Sequence, residues 1–221
     1  MIRDIFSTWS QYYYVFVDGI KWTFALTAIT MAFGLPLGAL ISFLSMSKSR
    51  LLNRISGTYV GLIRGTPFLL QLYFFWLWLP KVMPFEMSER QSIIVALIIS
   101  SSAYVSEIIR AGIQAVDAGQ WEAAKSLGIR NSYTMRYIIM PQAIKNILPA
   151  LGNEFITMLK ETSLASIFFV GELMTAWKTV QNATYKPLPA LVIVGMIYLI
   201  MTYTLTFVLK KYERRLAESD R

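Results

Sequence analysis

Long apolar stretches alternate with short polar stretches along this chain. Two of the apolar stretches contain no charged residue: Trp22–Met46, with 25 residues, and Pro187–Leu209, with 23 residues. About 20 apolar residues cross the hydrocarbon core of a bilayer. Two such stretches in a chain of 221 residues therefore indicate an integral membrane protein.

Three further stretches are apolar but contain charged residues, and each is also long enough to cross a bilayer. They are Ile55–Pro80 with Arg64, Gln91–Ile109 with Glu107, and Pro141–Leu159 with Lys145 and Glu154. The five stretches predict an all-α integral membrane protein with five transmembrane helices. They form a single transmembrane domain over residues 1–221.

The segments outside these stretches have their own patterns. Residues 1–20 are rich in aromatic side chains, which favours an N-terminal interfacial arm, and they lack the basic start and cleavage site of a signal peptide. Thr162–Gly171 is uncharged but too short to cross, so we expect a re-entrant or interfacial segment. The residues that follow, 171–182 (GELMTAWKTVQN), suit a surface helix.

Composition excludes several classes of chemistry. The chain has no Cys and no His, which excludes disulfides, thiol catalysis, haem, zinc fingers and imidazole proton relays. It also has no Gly-Lys pair, and so no phosphate-binding loop of the Walker type. We therefore expect no nucleotide and no other cofactor on this chain.

The net charge of +8 predicts orientation rather than nucleic-acid binding. Segments 48–54, 110–136 and 210–221 contain 12 of the 21 basic residues, whereas the N-terminal residues 1–21, the 80–90 loop and the 160–186 loop together contain 7. Loops with excess Lys and Arg face the cytoplasm. We therefore expect the N-terminus outside and the tail of residues 210–221 in the cytoplasm, with membrane lipid as a partner.

A polar segment lies between the third and fourth stretches and begins with helix signals. Asp117 and Gln120 resemble a capping box, which predicts a helix over Ala118–Leu127. Gly128 is a typical left-handed stop. Asn131 predicts the cap of a second short helix, which we expect to end at Pro141.

The predicted helix has a low, apolar surface with one negative charge, at Glu122. Small side chains, as at Ala123 and Ala124, allow the groove of another protein to approach the backbone closely. The sequence pattern alone is equally compatible with an ordinary capped loop helix.

The same segment resembles the EAA loop of ABC-transporter permeases. The matching positions are Glu122, Ala123, Ala124, Gly128, Ile138 and Pro141, with Met140 in place of the usual Leu. Residues 64–76 (RGTPFLLQLYFFW), 103–113 (AYVSEIIRAGI) and 159–167 (LKETSLASI) resemble the polar amino acid branch of these permeases.

This resemblance implies the type I permease fold of binding-protein-dependent importers in the inner membrane of a bacterium or archaeon. It implies a coupling helix, residues 118–130, that docks into a cytoplasmic ATPase subunit through Glu122, Ala123, Ala124, Leu127 and Gly128. ATP and magnesium would then bind to that partner. A second permease copy or homologue, an external solute-binding protein and an amino acid substrate are the other expected partners.

Polar residues inside the apolar stretches predict the substrate pathway, since they tend to face a cavity or a partner. Glu154, Thr157 and Met158 share one helical face, and Ser101 adjoins the face of the third stretch that carries Ser100, Tyr104 and Glu107. Gly65 and Pro67 open the second stretch, where Thr66 and Gln71 could contact a ligand. The predicted substrate-binding set is Glu154, Thr157, Met158, Ser101, Tyr104, Thr66 and Gln71.

The charged residues in and beside these stretches have different expected roles. Glu107 and Arg110 are one turn apart, so we expect them to neutralise each other. We interpret Arg64 as part of a packing kink, with its side chain extending to the cytoplasmic edge. Glu154 has no basic residue three or four positions away, so it serves either as a structural hydrogen-bond partner or as the site for a basic side chain such as Arg, Lys or His.

Other functions are compatible with parts of the pattern. An importer of a neutral or acidic amino acid, such as Gln or Glu, fits the same resemblance. An ATP-independent channel or secondary transporter could use Glu107 and Glu154, but it leaves the register of the EAA loop unexplained. An enzyme would need paired catalytic groups that the sequence does not show.

Overall fold

The computed structural model describes residues 1–218, and every regular element in this part of the chain is helical. The α-helices are α1 (Ile2–Ser45), α2 (Arg50–Arg64), α3 (Phe68–Val82), α4 (Glu89–Gln114), α5 (Ala118–Ser126), α6 (Asn131–Tyr133), α7 (Met140–Glu161), α8 (Leu173–Thr184) and α9 (Pro187–Glu218). A π-helix at Thr134–Ile139 joins α6 to α7, and a 3₁₀-helix at Thr162–Phe168 follows α7. The all-α fold class is confirmed.

The first helix is longer than a bilayer requires. At 1.5 Å per residue, the 44 residues of α1 extend for about 66 Å. This helix contains both the arm of residues 1–20 and the first predicted span, which form one continuous element. Phe16 and Gly19 in the arm are buried, and a Cβ at Gly19 would lie 2.9 Å from the Cα of Leu173. The arm therefore packs against the start of α8.

Three helices, α1, α4 and α9, are long and apolar enough to cross a membrane. The second predicted span, Ile55–Pro80, is not one straight helix: α2 and α3 meet at a bend of 105°, and counting the pair as one span gives four. Pro67 causes the break because it lacks an N–H and disfavours helical geometry at the residue before it. The fourth predicted span corresponds to α7, whose 22 residues are long enough but carry several charges.

Close contact between α1 and α4 forms the centre of the fold. A Cβ at Gly38 would lie 2.7 Å from the carbonyl oxygen of Ser102, and a Cβ at Gly34 would lie 2.8 Å from Oγ of Ser101. Small residues at these positions let two membrane helices approach backbone to backbone. The other helices pack around this pair.

The segment after α7 stays short and partly buried. The uncharged residues 162–171 form the 3₁₀-helix and a tight turn, with Phe169 and Gly171 at positive φ. The surface helix expected at 171–182 corresponds to α8, but Leu173, Ala176 and Val180 on one face of it are buried. At the other terminus, residues 210–218 of the predicted tail continue α9, and the last three residues lie outside the described part of the chain.

Candidate functional site

The predicted coupling helix is α5, and it begins as a capped helix. Asp117 is the N-cap, and its Oδ1 accepts a hydrogen bond from the backbone N–H of Gly119 at 2.7 Å. The reciprocal half of a capping box is not formed, because the side chain of Gln120 accepts instead from Nε2 of Gln142 at 3.4 Å. This contact links the start of α5 to the first turn of α7.

The C-terminal end of α5 confirms the prediction of a left-handed stop. Gly128 has φ of +71°, its N–H donates to the carbonyl of Lys125, and the N–H of Ile129 donates to the carbonyl of Ala124, both at 3.0 Å. This pair of hydrogen bonds is the Schellman motif. It turns the chain sharply and leaves α5 as a short projecting helix.

The two faces of α5 have different surroundings. Glu122, Ala123, Leu127 and Gly128 are exposed, and Leu127 is 77% exposed. Ala124 is only 2% exposed, so it faces its own chain, and its contact with an ATPase subunit stays a prediction. The small side chain at this position allows α5 to lie close to the rest of the molecule.

The connection from α5 to α7 differs from the sequence prediction. Arg130, not Asn131, is the N-cap of α6, and Pro141 does not end a helix but lies in the first turn of α7. Proline is tolerated there because its missing N–H would have no helical partner in an ordinary first turn. The π-helix continues the chain from α6 into α7, so only the short turn at 127–130 separates the coupling helix from the helical segment that contains α7.

Glu107 is neutralised by two arginines. Arg110 donates two hydrogen bonds to its carboxylate, from Nε at 3.0 Å and from Nη2, which confirms the predicted pairing. Nη1 of Arg64 lies 3.7 Å from the same carboxylate, and its guanidinium lies 5.6 Å from the ring centre of Tyr104. Sequence reasoning missed the role of Arg64, because its partners belong to a helix 40 residues further along the chain.

The polar side chains at the α2–α3 break mainly form hydrogen bonds with backbone groups of the break itself. Nε2 of Gln71 donates to the carbonyls of Ile63 and Thr66 and to Oγ1 of Thr66, at 2.6 to 3.1 Å. Oγ1 of Thr66 donates to the carbonyl of Leu62 at 2.9 Å. Gln71 is buried and its donors hold α2 to α3, while its Oε1 has no hydrogen-bond partner within the described residues, so the ligand contact of Gln71 stays a prediction. Thr66 remains exposed.

Two other predicted pathway residues belong to the packed interior. Ser101 is fully buried, and its Oγ donates to Sδ of Met31 at 3.6 Å, in the contact between α1 and α4. Met158 is also fully buried. A helical face that spacing predicts to be polar can be buried by a neighbouring helix, and the role of both residues in substrate binding stays a prediction.

Glu154 and Thr157 are half-buried on α7. Within the described residues Glu154 makes neither a hydrogen bond nor an ion pair, although the charges of Glu161 and Arg64 act on it. Of the predicted substrate set, Glu154, Thr157, Tyr104 and Thr66 remain accessible.

A carboxylate that sequence reasoning did not single out is buried at the start of α8. Glu172 accepts hydrogen bonds from the N–H groups of Met174 and Thr175, from Oγ1 of Thr175 and from the hydroxyl of Tyr198. Burial raises the pKa of the Glu172 carboxyl, while these hydrogen bonds lower it. Ser, Thr, Asp and Asn are the usual N-caps, which is why a Glu at this position gave no clear signal.

Comparison with known proteins gives one consistent family. Residues 34–218 match the family described as binding-protein-dependent transport system inner membrane component. The arginine transport system permease protein ArtQ of Bacillus subtilis (strain 168) is 39% identical over 204 residues, covering 92% of this chain and 93% of the relative. The glutamine transport system permease protein GlnP of Escherichia coli (strain K12) is 31% identical over 201 residues, covering 90% and 92%.

Solved structures agree with these relatives. The structure described as an amino acid ABC transporter with histidines is 42% identical, with a TM-score of 0.89 and coverage of 93% of this chain and 96% of that one. The inward-facing MetNI methionine ABC transporter is 19% identical with a TM-score of 0.74, over 92% and 96%, and shows the shared fold alone.

These matches extend over most of the chain. Permease subunits of this kind have no catalytic activity of their own, and ATP is hydrolysed on a separate subunit. The family implies an ATPase, a substrate-binding protein and a permease partner in the inner membrane. This chain therefore belongs to the binding-protein-dependent inner membrane components, as a permease subunit of an amino acid ABC transporter.

Proposed function

We propose that this permease imports a polar, basic amino acid, such as arginine, lysine or histidine, by alternating access. The observation that supports this proposal is the absence of an ion-pair partner for Glu154 among the described residues. Glu107 is neutralised by Arg110 and Arg64, whereas Glu154 has no ion-pair partner among the described residues. An intramembrane carboxylate without a partner is costly unless a cation approaches it.

Glu154 and the other accessible residues of the predicted substrate set suit an amino acid ligand. In this proposal the carboxylate of Glu154 binds the substrate's cationic side chain, while Thr157, Tyr104 and Thr66 supply polar contacts. Names of relatives support the class of substrate: one is an arginine permease, and one solved structure contains histidines. Other relatives are glutamine permeases, so import of a neutral or acidic amino acid is the alternative.

The coupling surface completes the mechanism that we propose. Glu122, Ala123, Leu127 and Gly128 on the exposed side of α5 dock into the ATPase subunit, which binds ATP and magnesium in the cytoplasm. The N-terminus then lies outside, and a second permease copy or a homologue encloses the pathway. Closure of the ATPase pair moves α5, and the helical connection transmits this movement to α7 and Glu154.

The proposal is tested by the Glu154→Gln variant in the reconstituted complex with its ATPase and binding protein. A hydrogen bond to a charged group contributes about 1.5–3 kcal/mol, so stimulation by a basic amino acid should require about 10- to 150-fold more substrate. Glu86→Gln, which removes an exposed carboxylate in the α3–α4 loop, is the matched control and should have no such effect.

A panel of amino acids separates the alternatives. If only glutamine or glutamate stimulates ATP hydrolysis in the unmodified complex, the basic substrate is wrong. If basic amino acids stimulate the Glu154→Gln complex as well as the unmodified one, Glu154 is not their site. If the variant fails to assemble with its ATPase, the role of Glu154 is structural, as a loss of basal ATP hydrolysis would reveal.

A further inference from the structure

A cluster of cations surrounds a cavity at the α1–α2 turn, and the proposed transport mechanism does not use it. We call Lys48, Arg50 and Arg54 the basic patch. They line a cavity of about 990 Å³ together with the polar side chains of Ser47, Asn53 and Thr58, and no acidic residue lines it. None of the three cations forms an ion pair within the described part of the chain.

An apolar stripe runs along α2 beside the basic patch. Leu51, Ile55 and Leu62 are each more than half exposed. They are separated by four and seven residues, which places them on one helical face. Arg50 and Arg54, also four residues apart, occupy the adjoining face. This helix therefore offers cations and exposed apolar surface side by side.

The same helix has few contacts within its own chain. Among the fifteen residues of α2, all of them described, only Ser56 is buried. A Cβ built at Gly57 would have no atom within 4 Å, so the backbone beside the cavity is open. A ligand could therefore approach α2 closely and hold it in place.

We infer that the basic patch and the apolar stripe form a binding site for an anionic phospholipid. The phosphate lies among Lys48, Arg50 and Arg54, and an acyl chain follows Leu51, Ile55 and Leu62. Basic residues next to an apolar helical face are the combination that binds anionic lipids at a membrane surface. A soluble phosphate would use the cations but would leave the stripe uncovered.

Binding of such a lipid has a consequence for the transporter. Arg64, at the C-terminal end of α2, forms an ion pair with Glu107 of α4. A lipid that fixes α2 therefore also fixes this arginine relative to α4. We expect ATP hydrolysis coupled to transport to be higher in membranes that contain phosphatidylglycerol than in membranes of phosphatidylcholine alone.

Native mass spectrometry of the complex with its ATPase tests the site by titrating phosphatidylglycerol. The variant is Lys48→Gln/Arg50→Gln/Arg54→Gln, and the charge-matched control is Lys210→Gln/Lys211→Gln/Arg214→Gln on α9. One basic residue near an anionic surface contributes about fivefold in affinity, so the variant should bind about 100-fold more weakly. The control should change by less than about threefold.

Two further experiments distinguish a lipid phosphate from a soluble phosphate. Leu51→Ser/Ile55→Ser should weaken phosphatidylglycerol binding with the basic patch intact, and soluble glycerol phosphate at the same concentration should not displace the lipid. Equal loss in both triple variants would mean diffuse charge attraction, and displacement by glycerol phosphate would mean a soluble ligand; either result overturns the inference. If the triple variant does not assemble, Arg54→Gln alone should show the fivefold loss, and unchanged binding there refutes the site.

Discussion

The coupling surface gives the most direct quantitative prediction. Leu127→Ala removes three carbon atoms, which contribute about 0.8 kcal/mol each when they are fully buried against a partner. Since 77% of Leu127 is exposed in the permease alone, about three quarters of that energy, or about 1.8 kcal/mol, is available on docking. We therefore expect the ATPase subunit to bind about 20-fold more weakly.

The measurement is the affinity of the purified ATPase subunit for the permease in lipid nanodiscs, together with substrate-stimulated ATP hydrolysis. Leu199→Ala is the matched control, because Leu199 is 67% exposed on α9, a helix apolar enough to cross the membrane. An affinity that is the same in both variants and in the unmodified permease would refute the coupling role of α5. A bulky charge at Ala124 is a poorer test, since that buried residue would disrupt α5 itself.

Two further predictions concern the packing that positions these sites. Gly38→Ala should destabilise the protein by about 1–3 kcal/mol in chemical denaturation, because its Cβ would meet the backbone of Ser102 at 2.7 Å. The control Gly195→Ala should leave the stability unchanged, because a Cβ there would have no atom within 4 Å. Equal destabilisation by the two substitutions would contradict the close contact of α1 with α4. Glu172→Ala should lower the free energy of unfolding by about 1–2 kcal/mol and speed hydrogen exchange in the first turn of α8, because it removes the N-cap. Glu172→Gln, which keeps one acceptor oxygen, should have a smaller effect. Unchanged exchange in Glu172→Ala would show that the cap is dispensable.

Local features of the structure were predicted correctly where residues close together in the chain produce them. Gly128 adopts positive φ because the Schellman turn is formed by residues of the same short segment. Glu107 and Arg110 pair because one turn of helix separates them. The break near Pro67 follows from the missing N–H of proline. None of these depends on which other helices lie nearby.

The exposure of a side chain depends on neighbouring helices, which spacing along the chain does not reveal. Helical spacing placed Met158 on the face of Glu154 and Ser101 beside the face of Tyr104, yet both are buried in the packed interior. Ala124 matched the family motif, but the structure buries it against its own chain. In each case spacing determines the side of the helix on which a side chain lies, while the exposure of that side chain depends on which other helix packs against that side.

The sequence by itself determined that this chain crosses a membrane, that it is helical, and that a short polar helix with a left-handed stop lies between its third and fourth apolar stretches. Length, hydropathy and local backbone chemistry suffice for these properties because they involve residues close together in the chain. Only the tertiary structure decided that Arg64 joins Glu107, that α2 and α3 meet at 105°, and that Glu154 stays without an ion-pair partner among the described residues. These properties depend on distances between residues far apart in the chain, which are fixed by helix packing.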